Sequence, residues 1–434
     1  MNRHAWPELI NALIAKENLS ESETAWAMAQ IMSGEATGSQ IAGFVVALRA
    51  KGETAAEVAG FVDAMLAVAE PLTIEGPALD VVGTGGDMAQ TVNISTMSAL
   101  VAAAAGARVV KHGNRAASSK CGSADVLTEL GVVIELPGPG VERCVEEVGI
   151  GFAFAPVFHP AMRFAGPTRK EIGVPTVFNI LGPLANPARP SAAMIGCANL
   201  RLAPVMADVL AARGTNALVV RGADGLDEVT IFSDTEVWDA TRERAVCLDS
   251  ISLARTGVSE GRASELQGGS AELNAKIARE VFAGNIDGPL KAVRDAVVLN
   301  TAAALVTWDA ANGIHPSGDI TARVCAAMPR PKGRLTRVRS ATCWTGGRPS
   351  AAKRQDSPVV QLPDSATRWR CTRCGNLTRF DVQRTVRTRE YWHADLAGEP
   401  EIEEVTVLSE IVEFVTCRWC GSGEEVVTVP KAGA

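Results

Sequence analysis

No stretch of this 434-residue chain stays apolar long enough to span a bilayer. The most apolar run, Ala99–Ala105, is short and is flanked by Ser95, Thr96 and Arg108. MNRHAWPELI is not expected to act as a secretory leader, because it puts Pro7 and Glu8 where an unbroken apolar run would be needed. Basic charge is not in excess: 42 Lys and Arg stand against 49 Asp and Glu, a formal net charge of −7 that argues against a general nucleic-acid coat. There is no regular disulfide framework either. Cys121, Cys144, Cys197, Cys247, Cys325 and Cys343 are scattered singly, the pattern of reduced thiols. These absences predict a cytoplasmic protein with no membrane association. What is present is an ordinary globular composition, 47% hydrophobic and 21% charged, in a chain long enough for two or three folding units.

The first seventy residues read as helices. Leu9, Ile10, Leu13 and Ile14 recur at helical spacing, and Ser20 with Glu23 forms a capping box ahead of Trp26, Met28, Ile31 and Met32. Ile41, Phe44, Val45 and Leu48 make a third amphipathic run closed by Gly52. Thr54 and Glu57 open a fourth, which Pro71 ends. From residue 79 the period changes. Leu79–Val82 reads as a strand, then a Gly-rich loop, then a helix from about Ser95; Arg108–Val110 is the next strand, with a polar loop and a helix near Ser123. The apolar runs Ala193–Ile195 and Ala217–Val220 extend this alternation, which predicts a mostly parallel sheet with crossover helices and functional loops at the strands' carboxyl ends.

Four motifs carry chemistry. In Asp80-Val-Val-Gly-Thr-Gly-Gly-Asp87, Gly83, Gly85 and Gly86 let backbone N–H groups approach an anion, while Asn93, Ser95 and Thr96 add donors at a helix start. The spacing is neither the Rossmann nor the Walker pattern. Lys111-His-Gly-Asn-Arg-Ala-Ala-Ser-Ser119, with Ser123 beyond it, supplies two cations and several donors for a phosphate. Arg169, in Arg163-Phe-Ala-Gly-Pro-Thr-Arg-Lys-Glu171, has the planar fork that clamps a small carboxylate. Asp227-Glu228 are adjacent carboxylates of the kind that hold Mg²⁺ near a polyphosphate.

In this order and spacing, GTGGD, NIST, KHGNRAASS, HPAMR…TRKEIG…TVFNILGPLANP and GLDE resemble anthranilate phosphoribosyltransferase over residues 5–328. The resemblance implies an N-terminal helical domain (1–72, joined by part of 160–190) hinged to an α/β phosphoribosyltransferase domain (73–328). It also implies a homodimer formed through the helical part. The implied reaction joins phosphoribosyl pyrophosphate to the amine of anthranilate in tryptophan biosynthesis. Carried over by position, the pyrophosphate substrate meets Gly83, Gly86, Asp87, Thr91, Asn93, Ile94, Ser95, Thr96, Lys111, His112, Gly113, Asn114, Arg115, Ala116, Ala117, Ser118, Ser119 and Ser123. Anthranilate meets Gly83, Asn114 and Arg169, and Mg²⁺ is held by Ser95, Asp227 and Glu228. An aromatic amine is neutral at pH 7, so no residue is expected to act as an indispensable acid or base; Lys111, Asn114 and Arg169 act by charge and orientation. His112 is expected to position its loop. A second reading, a non-catalytic nucleic-acid-binding relative of the same fold, is disfavoured by the acidic balance and by the presence of Arg169 and Asp227-Glu228.

Beyond Met328 the character changes. Residues 329–365 are basic and without period, which predicts a linker. Read in another frame, the codons of Cys343-Trp344-Thr345 specify Leu then Asp, which suggests a frameshift that replaced a terminal helix. Residues 366–434 carry Cys371-Thr-Arg-Cys374-Gly and Cys417-Arg-Trp-Cys420-Gly, two knuckles that predict structural Zn²⁺ in a small zinc-ribbon-like β unit.

Overall fold

The computed structural model describes residues 3–116, 120–242, 246–328, 367–374, 377–378, 380–394, 400–417 and 426–430. The expected linker and frameshift at 329–365 lie outside these. The chain forms two compact units, residues 1–348 and 349–434.

The first unit opens with α1 (Trp6–Ile14), α2 (Glu21–Ser33), α3 (Gly38–Lys51) and α4 (Ala55–Ala67). Ser20 and Thr54 cap α2 and α4 as their capping boxes predict, and Thr37 with Gln40 caps α3 in the same way. Gly60 is where α4 crosses α2, since a Cβ there would overlap the Glu21 carbonyl. Glu57 is fully buried but fully used: it pairs with Lys51 at 2.9 Å and accepts the Leu19 N–H at 2.8 Å.

The α/β part follows as β1 (Leu79–Gly83), α5 (Ile94–Ala104), β2 (Val109–Gly113), α6 (Ser123–Glu129), α7 (Gly138–Val148) and β3 (Ile150–Phe154). The chain then returns to the helical bundle through α8 (Ala155–Phe158), α9 (Gly166–Ile172) and α10 (Phe178–Leu184), where α9 packs on α3 and α10 on α4. It re-enters the sheet with β4 (Ala192–Gly196), α11 (Leu202–Ala212), β5 (Asn216–Gly222), β6 (Thr235–Asp239) and β7 (Cys247–Ile251). The helices α12 (Leu253–Thr256), α13 (Ala271–Ala283), α14 (Pro289–Ala311) and α15 (Ile320–Ala327) follow.

The seven strands lie in the order β3-β2-β1-β4-β5-β6-β7, parallel from β3 to β5 and antiparallel at β6 and β7. Strands run outward from β1 to β3, and β4 then returns to β1's other side. The order therefore reverses between β1 and β4, where ligands bind in open α/β sheets. Among the described residues, α11 ties the two parts together through charge at both ends, Arg201 to Glu53 at 2.5 Å and Arg213 to Asp63.

In the second unit β8 (Thr367–Cys371) pairs antiparallel with β11 (Val426–Pro430), and β9 (Phe380–Ala394) with β10 (Pro400–Cys417). Cys371, Val415 and Val426 share one small buried cluster.

The last helix of the first unit is anchored by a buried charge. Arg323 on α15 reaches Asp239 at 2.5 Å and Thr241 at 2.5 Å, with both charged side chains nearly inaccessible. Removing one partner of such a pair strands the other. Arg323→Met is expected to cost roughly 3–5 kcal/mol in urea unfolding, and Arg323→Met with Asp239→Leu to recover much of it. A single variant as stable as the parent would contradict this account.

Candidate active site

The site is built at the switch point from the sheet upward. β1 and β4 end side by side on glycines, Gly83 opposite Gly196. A Cβ on Gly83 would strike the Asp227 carboxylate, and one on Gly196 would strike the Asp227 backbone carbonyl. The absence of both side chains lets the Asp227-Glu228 turn sit directly on the strand ends. Asp227 Oδ2 then accepts the Gly85 N–H at 2.7 Å, and Glu228 Oε1 accepts the Ser95 N–H at the start of α5 at 3.0 Å. Gly85 and Gly86 take φ of 67° and 84°, conformations that favour glycine. From behind, Asn300 of α14 grips the turn: it accepts the Val229 N–H and donates to the Val229 carbonyl, both at 2.8 Å.

Electrostatically the turn is costly to hold. Both carboxylates are buried side by side. Burial pushes Glu228 up to about 8, against the pull of Lys111 and of the Ser95 N–H. Burial, Glu228 and Asp87 push Asp227 well above the ordinary range. Among the described residues Glu228 Oε2 and Thr96 Oγ1 are buried without hydrogen-bond partners. Adjacent, dehydrated carboxylate oxygens with a lone pair to spare fit a hard divalent cation, which takes the place of the missing positive charge. Among the described residues no three His, Cys, Asp or Glu side chains form a metal-binding group, and Mg²⁺ characteristically takes one or two carboxylates beside substrate oxygens.

Lys111 and His112 differ from their expected place. They stand in β2 itself rather than in the loop after it, and both are buried. Lys111 folds inward to donate to the Val81 carbonyl at 2.6 Å and lies beside Asp80 and Glu228, so the strand tolerates its charge. His112 Nδ1 donates to the Gly182 carbonyl at 2.9 Å, and His159 Nε2 to that of Ala185 at 2.8 Å, with the rings 5.2 Å apart. In the loop beyond, Asn114 receives the Ser123 hydroxyl on its carbonyl at 3.3 Å. Asp125 braces the loop by accepting the Ala116 and Gly122 N–H groups and Arg115 Nη1. Asn93 donates to the Cys121 carbonyl, joining the two phosphate-type loops. Ala117, Ser118 and Ser119 lie outside the described residues. Asp87 and Thr91 sit in the Gly-rich loop, half-buried. Arg169 is apart, half-buried on α9 with its guanidinium 5.3 Å over the Phe178 ring.

Sequence reasoning missed Asp80, Asn186, Gly196 and Asn300. Asp80 accepts the His112 N–H at 3.2 Å and Asn186 Nδ2 at 2.8 Å, so it locks β1 to β2 under the site. Asp80 and Asn186 each fall within a quoted motif, and a buried polar side chain in an apolar strand was the available signal for the first. Gly196 and Asn300 carried none.

A helical bundle joined to a parallel sheet, with anion-cradling loops and a carboxylate pair at the switch point, defines a glycosyl transferase of the phosphoribosyl type. Two family models match in that arrangement, "Glycosyl transferase family, helical bundle domain" over residues 7–69 and "Glycosyl transferase family, a/b domain" over 75–323. The anthranilate phosphoribosyltransferase of Saccharopolyspora erythraea is 56% identical over 326 residues, 75% of this chain and 90% of the relative. The crystal structure of the Thermus thermophilus enzyme superposes with a TM-score of 0.68 at 37% identity, covering 78% of this chain and 99% of that one. The Saccharomyces cerevisiae enzyme, solved with PRPP and Mg, gives 0.68 at 25% identity, covering 78% and 96%. The chain belongs to the anthranilate phosphoribosyltransferase family.

The histidine pair sets a pH dependence. Burial holds His112 down to about 3, with His159 and Lys111 adding, and burial holds His159 down to about 4. Unfolded, both titrate near 6.5, so below that pH the unfolded chain binds more protons than the folded one. Their contribution is complete above 6.5 and is lost as pH falls toward 4 and 3. Asp80, pushed up to about 6 by burial, opposes this in part, because it retains its proton when folded. Asp227 and Glu228, also raised, oppose it as well, so the histidine share is read by difference: as pH falls from 6.5 to 4, the stability of His159→Gln is expected to gain on that of the parent. An unchanged slope in that variant would remove His159 from the account.

Proposed function

We propose that this chain transfers the phosphoribosyl group of phosphoribosyl pyrophosphate to the amine of anthranilate, giving N-(5-phosphoribosyl)anthranilate and pyrophosphate in tryptophan biosynthesis. The observation that carries the reading is the buried Asp227-Glu228 pair beneath Gly83–Gly86. A carboxylate pair in that position would repel a polyphosphate unless a bound cation offset its charge. Asp227 and Glu228, with Ser95, would hold Mg²⁺, which when bound supplies positive charge against the leaving pyrophosphate.

The protein's own groups divide the remaining work. N–H groups of the Gly-rich loop and Lys111 stabilise charge gathering on the leaving oxygens as the ribose C1–O bond breaks. Asn93, Thr91 and the Asn114–Ser123 loop hold the donor, while Arg169 and Asn114 orient the acceptor so that its amine faces C1. No proton acceptor is needed before attack. His112 suits a positioning role, since its Nδ1 is committed to Gly182 and burial keeps the ring neutral. The exposed Ile14 and Val46, on α1 and α3, are consistent with a homodimer through the helical part.

Loss of anthranilate fluorescence with phosphoribosyl pyrophosphate is expected only when Mg²⁺ is present. Arg169→Ala is expected to raise KM for anthranilate about tenfold or more, the scale of a lost charge-assisted bond, and to leave KM for the donor near its parent value. Mg²⁺-independent turnover, or no turnover from the folded chain, would refute the assignment.

The same proposal extends to structural Zn²⁺ on Cys371, Cys374, Cys417 and Cys420. The strand register supports it: Cys371 ends β8 opposite Val426, and Cys417 ends β10 opposite Phe380. Among the described residues the buried cluster around Cys371 is small, and a metal would add to its stability. The Cys417 side chain and Cys420 lie outside the described residues. One zinc per chain by elemental analysis, lost in Cys371→Ser with transferase turnover retained, is the expected result; a zinc-free parent chain purified from zinc-supplemented medium would end the idea.

A further inference from the structure

The Gly-rich loop and the Lys111–Ser123 segment meet at Asn93, and a third stretch of chain holds them there. Residues 266–274, which none of the four motifs contains, run along the return of the Gly-rich loop. The Val92 N–H donates to the Leu266 carbonyl and the Gly268 N–H to that of Gln90, both at 2.9 Å, while Thr91 bridges Gln267. A Cβ on Gly268 would strike the Thr91 carbonyl, so this close approach needs glycine. Helix α13 then begins and packs on α6, and its Ala275 shares a buried cluster with Cys121 and Val126.

Asn274, in the first turn of α13, is 2% exposed. Its Oδ1 accepts the Gly269 N–H at 2.8 Å, and its Nδ2 donates to Asn93 Oδ1 at 2.9 Å. Asn93 Nδ2 in turn donates to the Cys121 carbonyl at 3.1 Å. A backbone N–H at one end of this relay and a backbone carbonyl at the other fix the orientation of both amides.

The relay changes the start of α5. Asn93 is the N-cap of that helix, and an N-cap asparagine ordinarily turns its side-chain oxygen onto the second or third N–H of its own helix. Here that oxygen faces Asn274 instead, and the Asn93 side chain makes no capping bond to α5. Thr96, the third residue of α5, keeps a buried hydroxyl without a hydrogen-bond partner among the described residues. The first turn is thereby left with donors to spare, and the positive end of a helix favours an anion.

We propose that Asn274 is a positioning residue for the phosphoribosyl pyrophosphate site: it draws the Asn93 carboxamide off the start of α5 and onto the Lys111–Ser123 segment, so that the first turn of α5 stays open to the donor's phosphates. The inference rests on the donor assignment of the proposed function. Buried as it is, Asn274 acts through Asn93 rather than on the donor. Without it Asn93 is free to cap α5, and the donor must displace that cap to bind.

Donor affinity is read by isothermal titration calorimetry of the full chain with phosphoribosyl pyrophosphate and Mg²⁺ at pH 8. Asn274→Ala is expected to weaken binding about tenfold, the scale on which a lost buried hydrogen-bond partner is felt. KM for anthranilate is expected to stay near its parent value. Asn274→Asp keeps an acceptor for the Gly269 N–H but has no N–H for Asn93, so it is expected to show the same loss. It also keeps the start of α13 bonded should Asn274→Ala fail to fold. In an Asn93→Ala background the Asn274 substitution is expected to weaken binding no further, because the competing cap is gone. Parent-like binding by Asn274→Asp would leave only the Gly269 bond at work. An undiminished loss in the Asn93→Ala background would mean that Asn274 acts on the fold at large. Either result overturns the proposal. A parent chain that binds the donor without turnover refutes the transferase reading alone, and one that binds no donor refutes both.

Discussion

Two like charges placed side by side out of water are the constraint on which the rest of this structure depends. Asp227 and Glu228 repel each other and have lost their hydration. The fold meets that cost with geometry. Two glycines clear the strand ends, two backbone N–H groups donate to the carboxylates, and an asparagine from a long helix holds the turn by both backbone groups of Val229. Lys111 adds a buried cation from the neighbouring strand. Each of these devices would be wasteful around a solvated acidic turn. Around a buried carboxylate pair they are what fixing two charges in place requires.

The same logic explains why β1 and β2 carry polar side chains inside an apolar sheet. Asp80, Lys111 and His112 are mutually compensating, and Asn186 closes the set by bonding Asp80 and the Val110 carbonyl, each at 2.8 Å. A buried network of this kind is stable only when nearly complete. The segment bearing Asn186 leads from the helical bundle back into the sheet, so the network also registers the bundle against the catalytic strands.

Much of this was legible before any coordinates. Capping boxes at Ser20 and Thr54 announced two helices, because a cap is a local bond between residues three apart. The glycine loop and the Lys111–Ser123 segment were legible because anion binding needs many donors close together in the chain. What escaped was non-local. Gly196 matters because the backbone of Asp227 presses on it, and Asn300 because it reaches Val229 across 71 positions. No spacing rule contains such pairs. A lysine seldom lies in a buried strand, and only Asp80, Glu228 and the Val81 carbonyl together make the position of Lys111 tolerable.

The placement of Arg169 has a consequence for how this scaffold can be altered. The charge-handling groups sit on strand ends and one turn, interlocked so that few substitutions are neutral. Arg169 stands on a seven-residue helix of the bundle side, stacked on Phe178 and outside that interlocked set. In the proposed reaction, the Arg169 share of acceptor recognition therefore lies on a piece of chain separate from the donor loops, while the Asn114 share stays within them. A library restricted to 163–179 would explore new nucleophiles while leaving the leaving-group machinery untouched, and natural divergence has the same freedom.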